Sequence, residues 1–149
     1  MKKIRIIASA ALLTLTAFGA TTLTSCTKDC EIGYEGSDCK TLSRTKFIGD
    51  WKGADACNSG NYNITLKVSP SSTNEISALV TNAGGFGTSV IITGTVTSTN
   101  TISFTNQDVT GGRSLSGTMT ANGNSLSFSY TVTPSVGVTD ACTGTYTKL

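Results

Sequence analysis

Five cysteines carry most of the chemistry that this sequence of 149 residues offers: Cys26, Cys30, Cys39, Cys57 and Cys142. A thiol can carry a fatty acid or can pair with another thiol in a disulfide bond. Disulfides use cysteines in pairs, so an odd number leaves one cysteine for a different role. The identity of that unpaired cysteine determines where the protein resides and which end of the chain is tethered.

The first 25 residues have the features of a secretory leader. Lys2, Lys3 and Arg5 give a positive start, and residues 6–20 are apolar or small. This apolar run has about the length of a signal-peptide core and is too short for a comfortable membrane span. We therefore predict that residues 1–25 are a signal peptide that is removed on export.

The leader ends in Leu23-Thr24-Ser25-Cys26, which resembles the lipobox of bacterial lipoproteins. This resemblance implies that the thiol of Cys26 carries a fatty acid such as palmitate and that the chain is cut immediately before this residue. Several acyl chains together hold a protein firmly on a membrane without spanning it. The alternative is an ordinary secretory cleavage site, which would leave a free thiol in an oxidising compartment.

The residues that follow Cys26 indicate a destination. Thr27 is not aspartate, and by resemblance to Gram-negative lipoproteins this favours the outer membrane. Lys28 and Asp29 with Glu31 resemble the short charged signal that sends some Bacteroidetes-type lipoproteins to the cell surface. We therefore expect an outer membrane lipoprotein, with its domain on either the periplasmic or the cell-surface side.

The charge of the exported chain excludes one class of partner. Three of the eleven Lys and Arg residues lie in the leader, which leaves eight against nine Asp and Glu residues. A nearly neutral chain lacks the concentrated basic patch that nucleic-acid binding requires. We expect no nucleic acid among its partners.

The four remaining cysteines can form two disulfides in three different pairings. The stretch from Cys30 to Cys39 reads C-x-x-G-Y-x-G-x-x-C and resembles the terminal hairpin of an EGF-like domain, which implies a Cys30–Cys39 bond in a short, stiff spacer. Cys57 and Cys142 then remain as the second pair. The alternative is a loop whose cysteines pair elsewhere.

Beyond a short polar linker, the sequence alternates apolar and polar residues with a period of two, which is typical of β-strands. The predicted strands are a segment around Trp51 followed by residues 61–69, 75–81, 89–97, 101–105, 113–120, 125–133 and 140–148. The first of the regular strands places Tyr62, Ile64, Leu66 and Val68 on one face. About eight strands with short connections predict an all-β, antiparallel up-and-down meander.

The start of this domain suggests that the meander closes into a barrel. Phe47-Ile48-Gly49-Asp50-Trp51 resembles the first strand of lipocalin-like (calycin) barrels, in which the tryptophan plugs one end. The first and last strands of such a barrel are neighbours, so a Cys57–Cys142 bond would join them. Inward-facing Gly94, Gly117 and Gly144 would leave room inside or relieve curvature.

The complete pattern resembles a family of small Bacteroidetes lipoproteins of unassigned activity. It consists of a signal peptide at 1–25, a lipidated tether with the EGF-like hairpin at 26–44, and a lipocalin-like domain at 45–149. The resemblance adds to the expected location and fold, and it implies no chemistry.

Catalytic motifs are weak throughout. The sequence contains no histidine, which excludes Ser-His and Cys-His pairs and histidine-ligated zinc. The nearest pair of carboxylates beside a large aromatic residue is Asp50 and Asp55, and solvated charges at a strand edge are the simpler interpretation. We expect no catalytic residue, no metal, no cofactor and no enzyme activity.

Three aromatic residues are candidate ligand contacts: Trp51, Phe86 and Tyr130. Phe86 stands among glycines at a strand connection, where it would cover the barrel opening, stack on a sugar or tuck into the core. The predicted function is non-catalytic binding of a small apolar ligand by a membrane-anchored barrel. The alternative is a displayed structural domain that contacts a glycan, a host surface or an envelope partner.

Overall fold

The computed structural model describes residues 29–149. The predicted leader, the lipidation site Cys26 and the sorting positions Thr27 and Lys28 lie outside the described residues, so those expectations stay predictions. Within the described range, a small hairpin precedes a closed antiparallel barrel. No helix of residues 29–149 combines the length and the apolar character needed to cross a bilayer.

The predicted fold class is confirmed, because eight antiparallel strands follow one another around the barrel in chain order. The hairpin consists of β1 (Tyr34–Glu35) and β2 (Thr41–Leu42). The barrel strands are β3 (Gly49–Cys57), β4 (Gly60–Pro70), β5 (Ser77–Thr81), β6 (Ile91–Ser98), β7 (Thr101–Val109), β8 (Arg113–Asn122), β9 (Ser125–Pro134) and β10 (Asp140–Lys148). Short 3-10 helices occupy Ser43–Lys46 and Ala83–Gly85.

Strand boundaries differ from expectation, most clearly in β5, β6 and β7. The strands expected to begin at positions 75 and 89 begin at Ser77 and Ile91. Strand β7 continues to Val109, beyond an irregularity in its pairing with β8 between Phe104 and Gln107. Such an irregularity interrupts the period-two pattern on which the sequence-based boundary depended.

The barrel closes where β10 pairs with both β9 and β3. Cys57 and Cys142 are direct partners in the β3–β10 register, and a disulfide joins them with their Cα atoms 4.0 Å apart. A second disulfide joins Cys30 to Cys39 across the hairpin. The covalent bond between β3 and β10 therefore links the first and last strands of the barrel.

Side chains fill the barrel interior. Alternation of apolar and polar residues turns one face of each strand inward, and the largest fully buried side chains there include Trp51, Tyr146, Phe128, Met119 and Leu126. A Cβ atom at Gly94 would lie 2.5 Å from the Phe104 ring, and one at Gly144 would lie 2.6 Å from the Tyr146 ring. These inward glycines therefore make room for neighbouring aromatic rings, and they leave no open chamber.

The two ends of the barrel differ, and we call them the tether end and the mouth. The tether end comprises the start of β3 and the loops at 71–76, 99–100 and 123–124, and the hairpin packs there. Arg44 Nη1 donates hydrogen bonds to the carbonyl oxygens of Ser71, Asn74 and Ser77, each at 2.9 Å. The mouth comprises the loops at 58–59, 82–90, 110–112 and 135–139.

Candidate functional site

A cleft of about 510 Å³ lies at the mouth. Its lining residues come from five barrel strands and from the four mouth loops: Cys57, Ser59, Tyr62, Gly84, Gly85, Phe86, Thr110, Arg113, Tyr130, Val132, Pro134, Val138, Asp140 and Cys142. This volume lies within the range of small-molecule sites. The cleft is therefore the candidate functional site.

One wall is the loop between β5 and β6, which is held in place by Asn82. Asn82 adopts a left-handed backbone conformation with φ of 61°, a region that asparagine tolerates better than most residues. Its amide nitrogen donates to the Thr65 carbonyl at 2.8 Å, and its side-chain oxygen accepts from the Gly87 amide at 2.9 Å. This arrangement folds the loop over the barrel and places half-buried Phe86 in the cleft wall.

The adjacent wall carries Arg113, the first residue of β8. Gly111 and Gly112 have φ angles of 72° and 66°, which a tight turn between β7 and β8 requires. The Arg113 Nε atom donates to the Thr110 carbonyl at 3.0 Å, and the guanidinium carbon lies 4.9 Å from the centroid of the Phe86 ring. Among the described residues the ion pair is Lys46–Glu35, so no carboxylate of residues 29–149 neutralises Arg113.

The opposite wall carries Asp140, the first residue of β10. Its carboxylate accepts hydrogen bonds from the Ser59 amide at 3.1 Å and from the Ser59 hydroxyl. The Ser59 hydroxyl also lies 3.1 Å from the hydroxyl of Tyr62. Both oxygens of Asp140 therefore have partners within the protein.

Tyr62 departs from the sequence-based expectation. It was expected to face inward with Ile64, but it is 46% exposed and lines the cleft. Tyr62 pairs with Asp55 near the mouth, beyond the packed part of the interior. Period-two alternation gives the face on which a side chain lies, but it does not give the height along the barrel axis.

The floor of the cleft is formed by Tyr130, and beneath it lies a buried carboxylate bound by two tyrosines. Asp55 is 1% exposed, and its two oxygens accept hydrogen bonds from the hydroxyls of Tyr130 and Tyr146. Burial, followed by the hydrogen bond to Asp55, raises the pKa of both tyrosines above the usual value of 10.0. Both phenols thus remain neutral donors at physiological pH.

This floor corrects the interpretation of Asp55 as a solvated charge at a strand edge. Inward-facing Trp51 fixes the phase of β3, and Asp55 lies four residues further along the same face. Asp50, by contrast, is exposed on the outer face. The two carboxylates therefore do not face each other across a shared cleft.

The Cys57–Cys142 disulfide borders the same floor. Cys57 Sγ lies 4.0 Å from the Tyr130 hydroxyl, and Asp140 lies near both sulfurs. Among the described residues, Cys57, Asp140 and Cys142 are the group whose side chains are of metal-ligand type and lie together. The two sulfurs are bonded to each other, however, so neither is a thiolate available to a metal ion.

The predicted ligand contacts fall into two places. Phe86 and Tyr130 both line the cleft. Trp51 lies at the tether end with 0% exposure, and its indole Nε1 donates to the Phe47 carbonyl at 2.7 Å. Its position is that of an end plug, so it does not contribute to the cleft.

Sequence reasoning missed the charged residues of the cleft, Arg113 and Asp140. Both are first residues of strands that follow mouth loops. Gly111-Gly112 was a usable signal, because a two-glycine turn fixes the position of the residue after it. No pattern in the sequence linked that turn to Phe86, which lies about 25 residues earlier.

The chain matches no protein-family model, no curated protein and no solved structure. The proposal of a function therefore rests on the geometry of the mouth.

Proposed function

We propose that this chain is an outer-membrane-anchored lipoprotein whose lipocalin-like barrel binds a small apolar or amphipathic ligand without catalysis. The observation that carries the proposal is the contrast between a filled interior and the cleft at the mouth. A ligand would bind in this cleft, against Phe86 and Tyr130, and would not enter the barrel axis. An aromatic wall with a few polar groups is typical of small-molecule sites.

The path of the tether is consistent with this role. The hairpin packs on the tether end, where the Tyr34 hydroxyl donates to Glu75 at 2.9 Å and the Ser43 amide donates to the Gly33 carbonyl at 2.8 Å. If Cys26 is acylated, the membrane lies on that side of the barrel. The cleft would then open away from the membrane, towards solvent and its ligand.

The floor of the cleft favours binding over catalysis. A general acid or nucleophile needs a carboxylate oxygen that can reach the substrate. Asp55 is 1% exposed and both its oxygens are bound by tyrosines, so neither oxygen reaches the cleft. The Asp140 oxygens accept hydrogen bonds from Ser59, which hold that carboxylate in a fixed position.

The test is native mass spectrometry of the protein purified from its own envelope. We expect an acyl mass on Cys26, two disulfides and a co-purifying small molecule. A Phe86→Ala variant should lose the small molecule, whereas Ile32→Ala, on the exposed part of the hairpin, should retain it. Retention of the ligand by Phe86→Ala would overturn the assignment of the cleft, and an unmodified Cys26 would overturn the anchor.

A second function is favoured by the mouth loop between β9 and β10. Val136 and Val138 are 88% and 90% exposed, and exposed apolar residues close together can mark a contact surface. In this alternative, the mouth contacts a glycan or an envelope partner. Glycan-array binding that disappears in Phe86→Ala, with no co-purifying small molecule, would favour it.

A further inference from the structure

We infer that the cleft selects a small amphipathic carboxylate, which binds its anionic group at Arg113 and lays its apolar body against Phe86 and Val138. This inference rests on the proposed function and names the ligand class for the same cleft. The supporting observations are the positions of Arg113 and Asp140 on the two cleft walls and the hydrogen bonds that these two side chains already make.

Arg113 has unused capacity for an anion. Its Nε atom is bound to the Thr110 carbonyl, while no hydrogen bond within residues 29–149 uses its two terminal nitrogens. The Phe86 ring and the Thr110 carbonyl both contact the guanidinium. With Nε bound, the edge between the two terminal nitrogens is free, and this edge matches a carboxylate, which accepts two parallel hydrogen bonds.

The acidic residue of the cleft gives the ligand a direction. Asp140 lies on the β10 wall, whereas Arg113 on the β8 wall is the cation among the lining residues. An anionic group is therefore attracted to one wall and repelled from the other, which orients the ligand across the mouth. The floor is already satisfied internally, so it offers the ligand no free donor.

The remaining lining is suited to an apolar body. Phe86, Val132, Pro134 and Val138 present carbon surface, and the disulfide adds a weakly polar edge. Burying apolar area provides a binding free energy that does not depend on charge. The full ligand thus needs an apolar part for affinity and one carboxylate for selection.

The experiment uses the secreted full chain with Cys26→Ser, so that no attached acyl chain competes for the cleft. Calorimetric titrations compare three probes with the same chain length: octanoate, octan-1-ol and octylammonium. We expect octanoate to bind about tenfold more tightly than octan-1-ol, and octylammonium to bind most weakly. Added salt should reduce the preference for octanoate because the Arg113 contact is partly solvent-exposed.

The variants separate charge from shape. Arg113→Gln should remove the preference for octanoate over octan-1-ol, with both probes measured on the same variant. Arg113→Lys keeps the charge but lacks the planar fork, so it should keep only part of the preference. Lys67→Gln, which removes the same charge from the outer face of β4, is the matched control and should behave as the parent protein. Circular dichroism confirms that each variant is folded.

Failure of the inference is distinguishable from failure of the proposed function. If octanoate and octan-1-ol bind equally, or if Arg113→Gln keeps the preference, the carboxylate inference is wrong while the cleft remains a binding site. If none of the three probes binds, both the inference and the small-ligand function are overturned.

Discussion

The tether end and the mouth are built by the same eight strands, yet one end is closed by buried side chains and the other opens as a cleft. At the tether end, Trp51 and Phe47 are fully buried, and Arg44 ties three loop carbonyls together. At the mouth, Tyr62 and Val138 are exposed around a cleft. Strand packing defines the barrel. The loops and buried side chains at its ends make the tether end the stabilising one and leave the mouth available to a partner.

The local chemistry of the loops explains this difference. The β4–β5 loop at the tether end is bound by a side chain from a distant segment, Arg44. The β7–β8 turn at the mouth relies on Gly111 and Gly112 and leaves the Arg113 guanidinium facing the cleft. Rigid scaffolds commonly carry recognition residues on loops of this second kind.

The largest expected effect tests the covalent link at the mouth. The Cys57→Ala and Cys142→Ala double variant opens a loop with a sequence separation of 85 residues. We expect the free energy of unfolding to fall by about 4 kcal/mol in urea titrations, because the unfolded chain gains freedom. Replacing Cys30 and Cys39, which are 9 residues apart, should cost less. An equal loss in the two double variants would contradict this account.

The next effect contrasts one aromatic residue at each end. Trp51→Ala removes a fully buried side chain and should reduce the free energy of unfolding by about 3 kcal/mol. Phe86→Ala removes a half-buried side chain and should cost less than about 1 kcal/mol. Chemical denaturation measures both variants. The comparison fails if Phe86→Ala lowers the free energy of unfolding as much as Trp51→Ala does.

A smaller effect contrasts the two arginines. Arg44→Ala leaves three loop carbonyls without their shared donor, and we expect a loss of about 1.5 kcal/mol in unfolding free energy. Arg113→Ala should change stability by less than about 0.5 kcal/mol, since it is exposed and has one hydrogen bond to the protein. If thermal or urea unfolding showed a larger loss for Arg113→Ala than for Arg44→Ala, then Arg113 would stabilise the mouth loops.

The smallest effect is a loss of stability at alkaline pH. Burial raises the pKa of Tyr130 and Tyr146 in the folded protein above their unfolded value of 10.0. Their contribution is complete below that value and declines as pH rises towards the folded pKa, because only the unfolded chain releases the protons. Between pH 8 and pH 10 we expect a loss of about 1 kcal/mol.

The control for this prediction replaces both tyrosines with phenylalanine. That variant is less stable throughout, because Asp55 loses its two donors. Its stability should nevertheless change less between pH 8 and pH 10 than that of the parent protein. An unchanged pH dependence would show that other groups are responsible.

Much of the fold was accessible from the sequence. Period-two alternation identified the strands, and the position of Trp51 at the start of the domain indicated the plugged end. The burial of Asp55 follows from the same alternation, since Asp55 shares the inward phase of Trp51. Carboxylates are usually solvated, but the hydroxyls of Tyr130 and Tyr146 replace water around this one.

The cleft itself was less accessible. Phe86 lies in a loop and Arg113 and Asp140 begin two strands, all distant in sequence, and only closure of the barrel brings them together. The role of Gly94 and Gly144 was similarly hidden, because the rings that occupy their space belong to other positions. Local patterns report local geometry, whereas this site depends on long-range strand pairing.

Leu149 donates its amide to the Asp50 carbonyl at 3.0 Å, beside the start of β3. Leu149 thus lies on the same side of the barrel as the incoming hairpin, away from the mouth loops. A fluorescent reporter or epitope fused after Leu149 would leave the aromatic opening unobstructed, whereas one inserted between Thr110 and Gly112 would cover it. The fold therefore offers a natural attachment point for labelling and immobilisation.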